Sequence, residues 1–327
     1  MNQLSKLFDE QIARKPDKYP WTRDFIDAMW KGHWTPNEFS FVSDIHDFKV
    51  NLTAQEQEII KKTISTISQV EVAVKRFWSQ LGDNLPHPSI TDLGFVMAHV
   101  EVIHNCAYEK LLHVLGLEDI FEENLKIDVL QNRVKYLHKH THKYYKDSKK
   151  QYIYALILFT VFVENISLFS QFYIVNWFAR YKNVLKDTAQ QIRYTASEEL
   201  LHFLAGAKIV NTLRIEYPEL FDEELEEKIY QEVREAFKSE SKIIDWIIGE
   251  YEFKGLNDIT LKEFLKHRFN DSLRQIGFKP QFEIDIEIMQ DTEWFNDETL
   301  SNINTDFFYT RPTGYTKGLE FNEDEIF

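Results

Sequence analysis

The pattern that most constrains this chain is one set of ligand-type side chains used twice: a lone Glu in an apolar helical segment, then Glu-x-x-His. Glu71 precedes Glu101-Val102-Ile103-His104 by thirty residues, and Glu164 precedes Glu199-Leu200-Leu201-His202 by thirty-five. A spacing of three puts carboxylate and imidazole on one helix face. Four carboxylates and two imidazoles delivered this way are the ligand set of a carboxylate-bridged two-metal centre inside a four-helix bundle. Charge points the same way. Ionised, the four glutamates carry minus four, which two divalent cations cancel, and without them four buried carboxylates could not all stay charged. Oxygen and nitrogen donors suit iron or manganese, whereas structural zinc more often recruits thiolates; the one cysteine is Cys106.

Composition agrees with long helices, because only 10 Gly and 8 Pro interrupt 327 residues. A chain of this length buries a sizeable core. The net charge of −15 argues against nucleic acid or an anionic membrane surface as partner. A single cysteine excludes a disulfide framework, and the charged N-terminal stretch has no apolar signal core, so a cytoplasmic protein is expected. The run from Tyr152 to Phe178 is long enough to span a bilayer. Glu164 would be costly in its middle, however, and no second apolar run of comparable length adjoins it. A central helix buried on all sides, and no membrane span, is the expectation.

Thr53 as N-cap, with Glu56 at the capping-box position, opens a helix that carries Glu71 to about Leu81. Gly82 to Pro88 break it, and the next helix, about Ile90 to Leu115, carries Glu101, His104 and Tyr108 and ends at Gly116. A basic amphipathic helix is expected from about Asn124 to Lys149, leading into the apolar helix of Glu164. Thr188 to Tyr217 holds Glu199 and His202, and two further helices span Phe221 to Glu250 and Leu261 to Ile276. From Gly277 the periodicity fails. The expected layout is one helical domain, residues 1–290, and a flexible tail, 291–327. His138, His140 and His142 lie in a Lys-rich stretch and are expected to face solvent. Tyr108 follows His104 by four residues, so it shares that face about 6 Å along the axis. A phenol there is placed for oxidation by a high-valent metal pair, although spacing alone is equally served by an ordinary buried tyrosine.

With these residues assembled, the chain resembles the small, radical-generating subunit of class I ribonucleotide reductase, from about Trp34 to the C-terminus. Glu101-x-x-His104-x-x-x-Tyr108 matches the family's second-ligand helix with its radical tyrosine. The run from Arg193 to His202 resembles its last ligand helix, in which an acidic residue, here Glu198, precedes the ligand glutamate. His33-Trp34-Thr35-Pro36-Asn37-Glu38 is similar to the family's Trp-x-Pro-Glu-Glu segment, whose tryptophan relays electrons toward the metals. The resemblance thus implies Trp34 as relay, Glu198 as its hydrogen-bonding neighbour and His104 as the end of the path. Phe307 to Tyr315 resembles the tail motif whose tyrosine, here Tyr315 with Tyr309 as the weaker match, passes the radical to the large subunit. The acidic end, Glu320 to Phe327, with its apolar anchors, is similar to the family's docking peptide.

The resemblance implies an all-α fold, a ferritin-like four-helix bundle core with additional helices, and six metal ligands: Glu71, Glu101, His104, Glu164, Glu199 and His202. It also implies a homodimer and a large catalytic subunit as partner. One cysteine cannot provide both the thiyl radical and the reducing dithiol known of that subunit, so the division of labour is consistent. The implied activity is that of an oxidoreductase: a radical or oxidising equivalent made here is passed on for reduction of ribonucleoside diphosphates to deoxyribonucleotides. Two departures bear on this. Glu71 stands where most of the family has Asp, as in subgroups that use other metals or no tyrosyl radical, which leaves two iron ions, two manganese ions or a mixed pair open. Glu198 stands where Asp is common, a longer arm of the same charge. The rival readings are a ferritin-like dimetal oxidase or monooxygenase acting on an apolar substrate, and an iron store; neither accounts for the Tyr315 tail.

Overall fold

Helix boundaries follow local capping chemistry. Thr53 Oγ1 accepts from the Glu56 N–H at 3.3 Å while the Glu56 carboxylate accepts from the Thr53 N–H at 2.9 Å, closing the expected capping box. Gly116, after the C-terminus of the Glu101 helix, adopts φ +69°, a left-handed turn that stops that helix where a side chain would be strained. The computed structural model describes residues 6–298, apart from the side chains of 70–75 and 140. Its helices are α1 (Thr22–Lys31), α2 (Val42–His46), α3 (Ala54–Ser79), α4 (Leu81–Asn84), α5 (Pro88–Leu115), α6 (Glu118–Asn124), α7 (Asp128–Leu137), α8 (Ser148–Leu158), α9 (Phe169–Trp177), α10 (Lys186–Glu216), α11 (Glu223–Ile248), α12 (Asp258–Gln275) and α13 (Ile286–Gln290). No strand occurs among the described residues beyond one isolated bridge, Phe253 with Leu256.

The core is a four-helix bundle. α3 lies along α5, and α10 packs against α5, α8 and α9, which together form the fourth rod. α11 covers α3, α7 and α8, and α12 leans on α9 and α11. Every residue from Ile153 to Phe178 is buried, as an all-round apolar segment requires. No described helix is long and apolar enough to cross a membrane.

Three expectations need correction. The single basic helix expected from Asn124 to Lys149 is instead α7, a 3-10 turn at His138–Thr141 and the first residues of α8, with α6 ending where it was expected to begin. Asp147 stops any continuous helix because its carboxylate caps α8, accepting from the Lys149 and Lys150 N–H groups at 2.8 and 3.2 Å. α7 is amphipathic as expected, and its inner face includes Arg133, fully buried against Glu240 at 2.9 Å. His138 and His142 are exposed, and the His140 side chain lies outside the described residues.

The apolar rod is also not one helix. It widens to a π turn at Phe159–Val163 and unwinds over residues 164–168 before α9 begins. The Glu164 N–H reaches back five residues to the Phe159 carbonyl at 3.4 Å, and the Ser167 N–H reaches the Phe162 carbonyl at 2.9 Å. α10 tolerates this bulge through Gly206, where an added Cβ would sit 2.4 Å from Thr160 Oγ1. Finally, order continues after Gly277. α13 follows, and Trp294 and Phe295 are buried, with the Trp294 indole donating to the Tyr173 hydroxyl at 3.3 Å. Packing is thus described as far as Phe295, inside the stretch 291–327 expected as tail, of which residues 299–327 lie outside the described residues; the N-terminal α1 was not anticipated at all.

Candidate metal centre

The two E-x-x-H helices, α5 and α10, face each other inside the bundle, and the unwound segment delivers Glu164 between them. Glu101, His104, Glu164 and His202 are fully buried and Glu199 is 2% exposed. One ligand atom from each of Glu101, Glu164, Glu199 and His202 lies within 4.8 Å of the other three. The two imidazoles define two foci. Nδ1 of His202 is 2.8 Å from Glu101 Oε1, 3.4 Å from Glu164 Oε2 and 3.7 Å from Glu199 Oε2. Nδ1 of His104 is 3.4 Å from Glu101 Oε2 and 3.1 Å from Glu199 Oε1. Glu101 and Glu199 thus turn one oxygen to each imidazole, the arrangement of carboxylates that bridge two cations. Glu71 belongs to α3, and its side chain is outside the described residues.

The donor set fits a cation pair. Apart from these contacts with one another, both Glu101 oxygens, Glu164 Oε2 and Nδ1 of His202 are buried with no hydrogen-bond partner among the described residues, a costly state unless something else satisfies them. Proton affinities carry the same message. Burial opposes a charged imidazole at His202, yet Glu101, Glu164 and Glu199 outweigh it and hold the pKa well above its ordinary value. His104 is raised likewise against burial by Glu101, Glu198 and Glu199. Burial and the charge of Glu199 push Glu164 up, while Glu199, despite burial, is held low by its bonds to Glu164 and both imidazoles. Protons act here as the counter-charge that a metal ion would replace.

Two tryptophans hydrogen-bond carboxylates in and next to this cluster. The Trp34 indole donates to Glu198 Oε2 at 2.9 Å, and His104 Nε2 is 2.8 Å from the same oxygen. Trp34, Glu198 and His104 thereby form one hydrogen-bonded chain from the segment after α1 to the cluster, with Tyr194 packed 5.7 Å from the Trp34 ring. The second, Trp78, was not anticipated. Its indole donates to Glu164 Oε1 at 2.7 Å and its ring lies 6.3 Å from His202. Its signal in the sequence is position, since it follows Glu71 by seven residues and so shares that helix face. Tyr108 is buried one turn past His104 and lines a cavity of about 630 Å³ with Ser68, Asn105, Cys106 and Phe121. Tyr309 and Tyr315 lie outside the described residues.

Comparison with known proteins decides the family, because the family described as ribonucleotide reductase, small chain, matches residues 11–290. The chain belongs to that family. A ribonucleoside-diphosphate reductase subunit beta of Halalkalibacterium halodurans is 25% identical, covering 92% of this chain and 87% of its own length. A probable small subunit from Invertebrate iridescent virus 3 is 23% identical over 95% of this chain and 86% of its own. Among solved structures, the ribonucleotide reductase R2 subunit of Clostridium botulinum superimposes with TM-score 0.78 at 23% identity, covering 90% of this chain and 94% of that one. A dimanganese(II) NrdF of Streptococcus sanguinis does so with TM-score 0.70 at 15% identity, covering 87% and 99%. The chain is thus a ribonucleotide reductase small subunit with the ferritin-like helical fold of these relatives, and an oxidoreductase component. The family implies a dimetal centre and a large subunit as working partner. The oxidase or monooxygenase alternative is not favoured.

Proposed function

We propose that Glu71, Glu101, His104, Glu164, Glu199 and His202 hold two iron or manganese ions, and that this small subunit stores an oxidising equivalent for its large subunit. The observation that carries the reading is the pair of carboxylates, Glu101 and Glu199, each turned to both imidazoles. Glu164 completes the His202 side, and the ligand repeat assigns the corresponding place on the His104 side to Glu71. Bound there, the metals supply the oxidising power that ribonucleotide reduction needs. The dimanganese state of the Streptococcus sanguinis relative makes manganese as reasonable a guest as iron.

Residues of the chain supply the rest. Tyr108, buried beside the cluster, is the store for the radical. Glu198 orients His104 through Nε2 and leaves Nδ1 directed to the metals, the usual service of a carboxylate behind a ligating imidazole. The same carboxylate oxygen accepts the Trp34 N–H, so Trp34 and His104 share one hydrogen-bonding atom for coupled electron and proton movement. Tyr315, with Tyr309 as the lesser candidate, passes the equivalent onward, and the acidic residues 320–327 dock on the large subunit. A homodimer in the cytoplasm completes the reading.

The test is metal analysis with electron paramagnetic resonance after reconstitution with iron or manganese and exposure to oxygen. Two metals per chain and a tyrosyl signal that vanishes in Tyr108→Phe are expected. Two metals and no organic radical would remove Tyr108 as the store.

A further inference from the structure

Glu164 differs from the other described ligands in standing on a broken helix rather than a regular one. The break leaves the next carbonyl, that of Asn165, without its usual donor: the Phe169 N–H that would close onto it in a regular helix goes to Ile166 at 3.3 Å instead. α12, which stands outside the bundle, fills the gap. Arg268 Nε donates to the Asn165 carbonyl at 2.9 Å, and its Nη2 donates to Asn165 Oδ1. Asn165 Nδ2 in turn donates to Ser272 Oγ at 2.7 Å, and the Ser272 hydroxyl donates to the Arg268 carbonyl at 2.8 Å. The ring is closed, with Asn165 4% and Ser272 0% exposed and Arg268 partly buried. The guanidinium lies 3.4 Å over the Phe169 ring, which anchors the far side of the break.

We propose that Arg268, with Ser272, is a positioning residue for the metal centre: it clamps Asn165 and so fixes where the unwound turn presents the Glu164 carboxylate. Three features meet in one short segment. The wide turn needs external donors, Arg268 supplies two of them in a fork that a lysine cannot reproduce, and the residue held is covalently next to a ligand. A free turn at this point would let Glu164 swing away from His202 Nδ1, now 3.4 Å from its Oε2. The clamp makes an outer helix part of the metal site without touching a metal.

This inference rests on the reading of Glu164 as a ligand, so the experiment starts with the unsubstituted chain. Manganese(II) titration, followed by the signal of the free ion, should show two ions per chain; fewer would overturn that underlying reading before any variant is made. Arg268→Gln should then weaken one of the two sites by on the order of tenfold or more, the usual effect of losing a group that orients a ligand. Arg268→Lys, which keeps the charge and one donor nitrogen but not the fork, should recover part of that loss. Leu261→Ala, at a buried position on α12 nearly two turns before Arg268, controls for general loosening of the helix and should bind as the unsubstituted chain does. In metal-free protein, amide exchange over residues 159–169 should quicken in Arg268→Gln more than in Leu261→Ala. Unchanged manganese binding in Arg268→Gln, or equal weakening in Leu261→Ala, would overturn the proposal.

Discussion

Trp78 donates its indole N–H to Oε1 of Glu164 across 2.7 Å, leaving Oε2 as the oxygen that faces His202. The indole thus selects which lone pairs of Glu164 remain for a cation. Replacing Trp78 by Phe removes that choice and leaves Oε1 buried without a donor, a loss of about 1–3 kcal/mol in stability. Metal affinity in Trp78→Phe is expected to fall on the order of tenfold. Titration with manganese(II) beside thermal unfolding separates the two effects, and full retention of affinity would show that Glu164 needs no such partner.

Trp34→Phe keeps an aromatic ring beside Tyr194 but removes the hydrogen bond to Glu198 Oε2. Turnover with the large subunit should drop to background while metal content stays at two per chain. Loss of metal along with activity would instead make Trp34 a support of the site and not a relay.

Acid should drive metal out, and the sign follows from the imidazoles. His104 and His202 are held above the ordinary value of 6.5 in the metal-free fold, so each must release a proton before Nδ1 can ligate. Manganese affinity should rise with pH through and above neutrality, with protons released on binding. For the metal-free protein the linkage runs the other way: the stabilisation from these two groups is fully present below about pH 6.5 and is lost as pH rises through their higher folded-state values. Glu199, held low, has the opposite dependence, but only below its ordinary value of 4.5. Thermal melts across pH with and without manganese should therefore diverge; parallel curves would contradict the coupling.

Gly206→Ala tests the close approach of α10 to the wide turn. The added methyl would stand 2.4 Å from Thr160 Oγ1 and 2.7 Å from its Cγ2, and overpacking of this kind costs about 1–3 kcal/mol. A lowered melting temperature is expected, and because Thr160 lies in the turn before Glu164, weaker metal uptake should accompany it. A variant as stable as the parent would mean that the turn can retreat freely.

Much of the site was legible because its information is local. Glu101 with His104, and Glu199 with His202, share a face through helical spacing alone, and Thr53 with Glu56 announces the start of α3 within four residues. The tail residues Tyr309 and Tyr315 rest on motif resemblance. Legibility failed where local patterns compete. The Lys-rich stretch after Asn124 has helical periodicity, but Asp147 offers its carboxylate to α8 and the continuous helix is lost.

What the sequence determined by itself is which side chains are candidates for the ligand set and which pairs share a helix face, since a residue spacing of three or four translates directly into geometry. Only the tertiary structure decided that Trp78 meets Glu164, 86 positions away, and that Arg268 meets Asn165, 103 positions away. It alone decided that the apolar rod breaks at the ligand. A broken helix is tolerable only where a neighbour supplies the missing donors and a glycine gives it room, and no periodicity within the segment records where that neighbour will be.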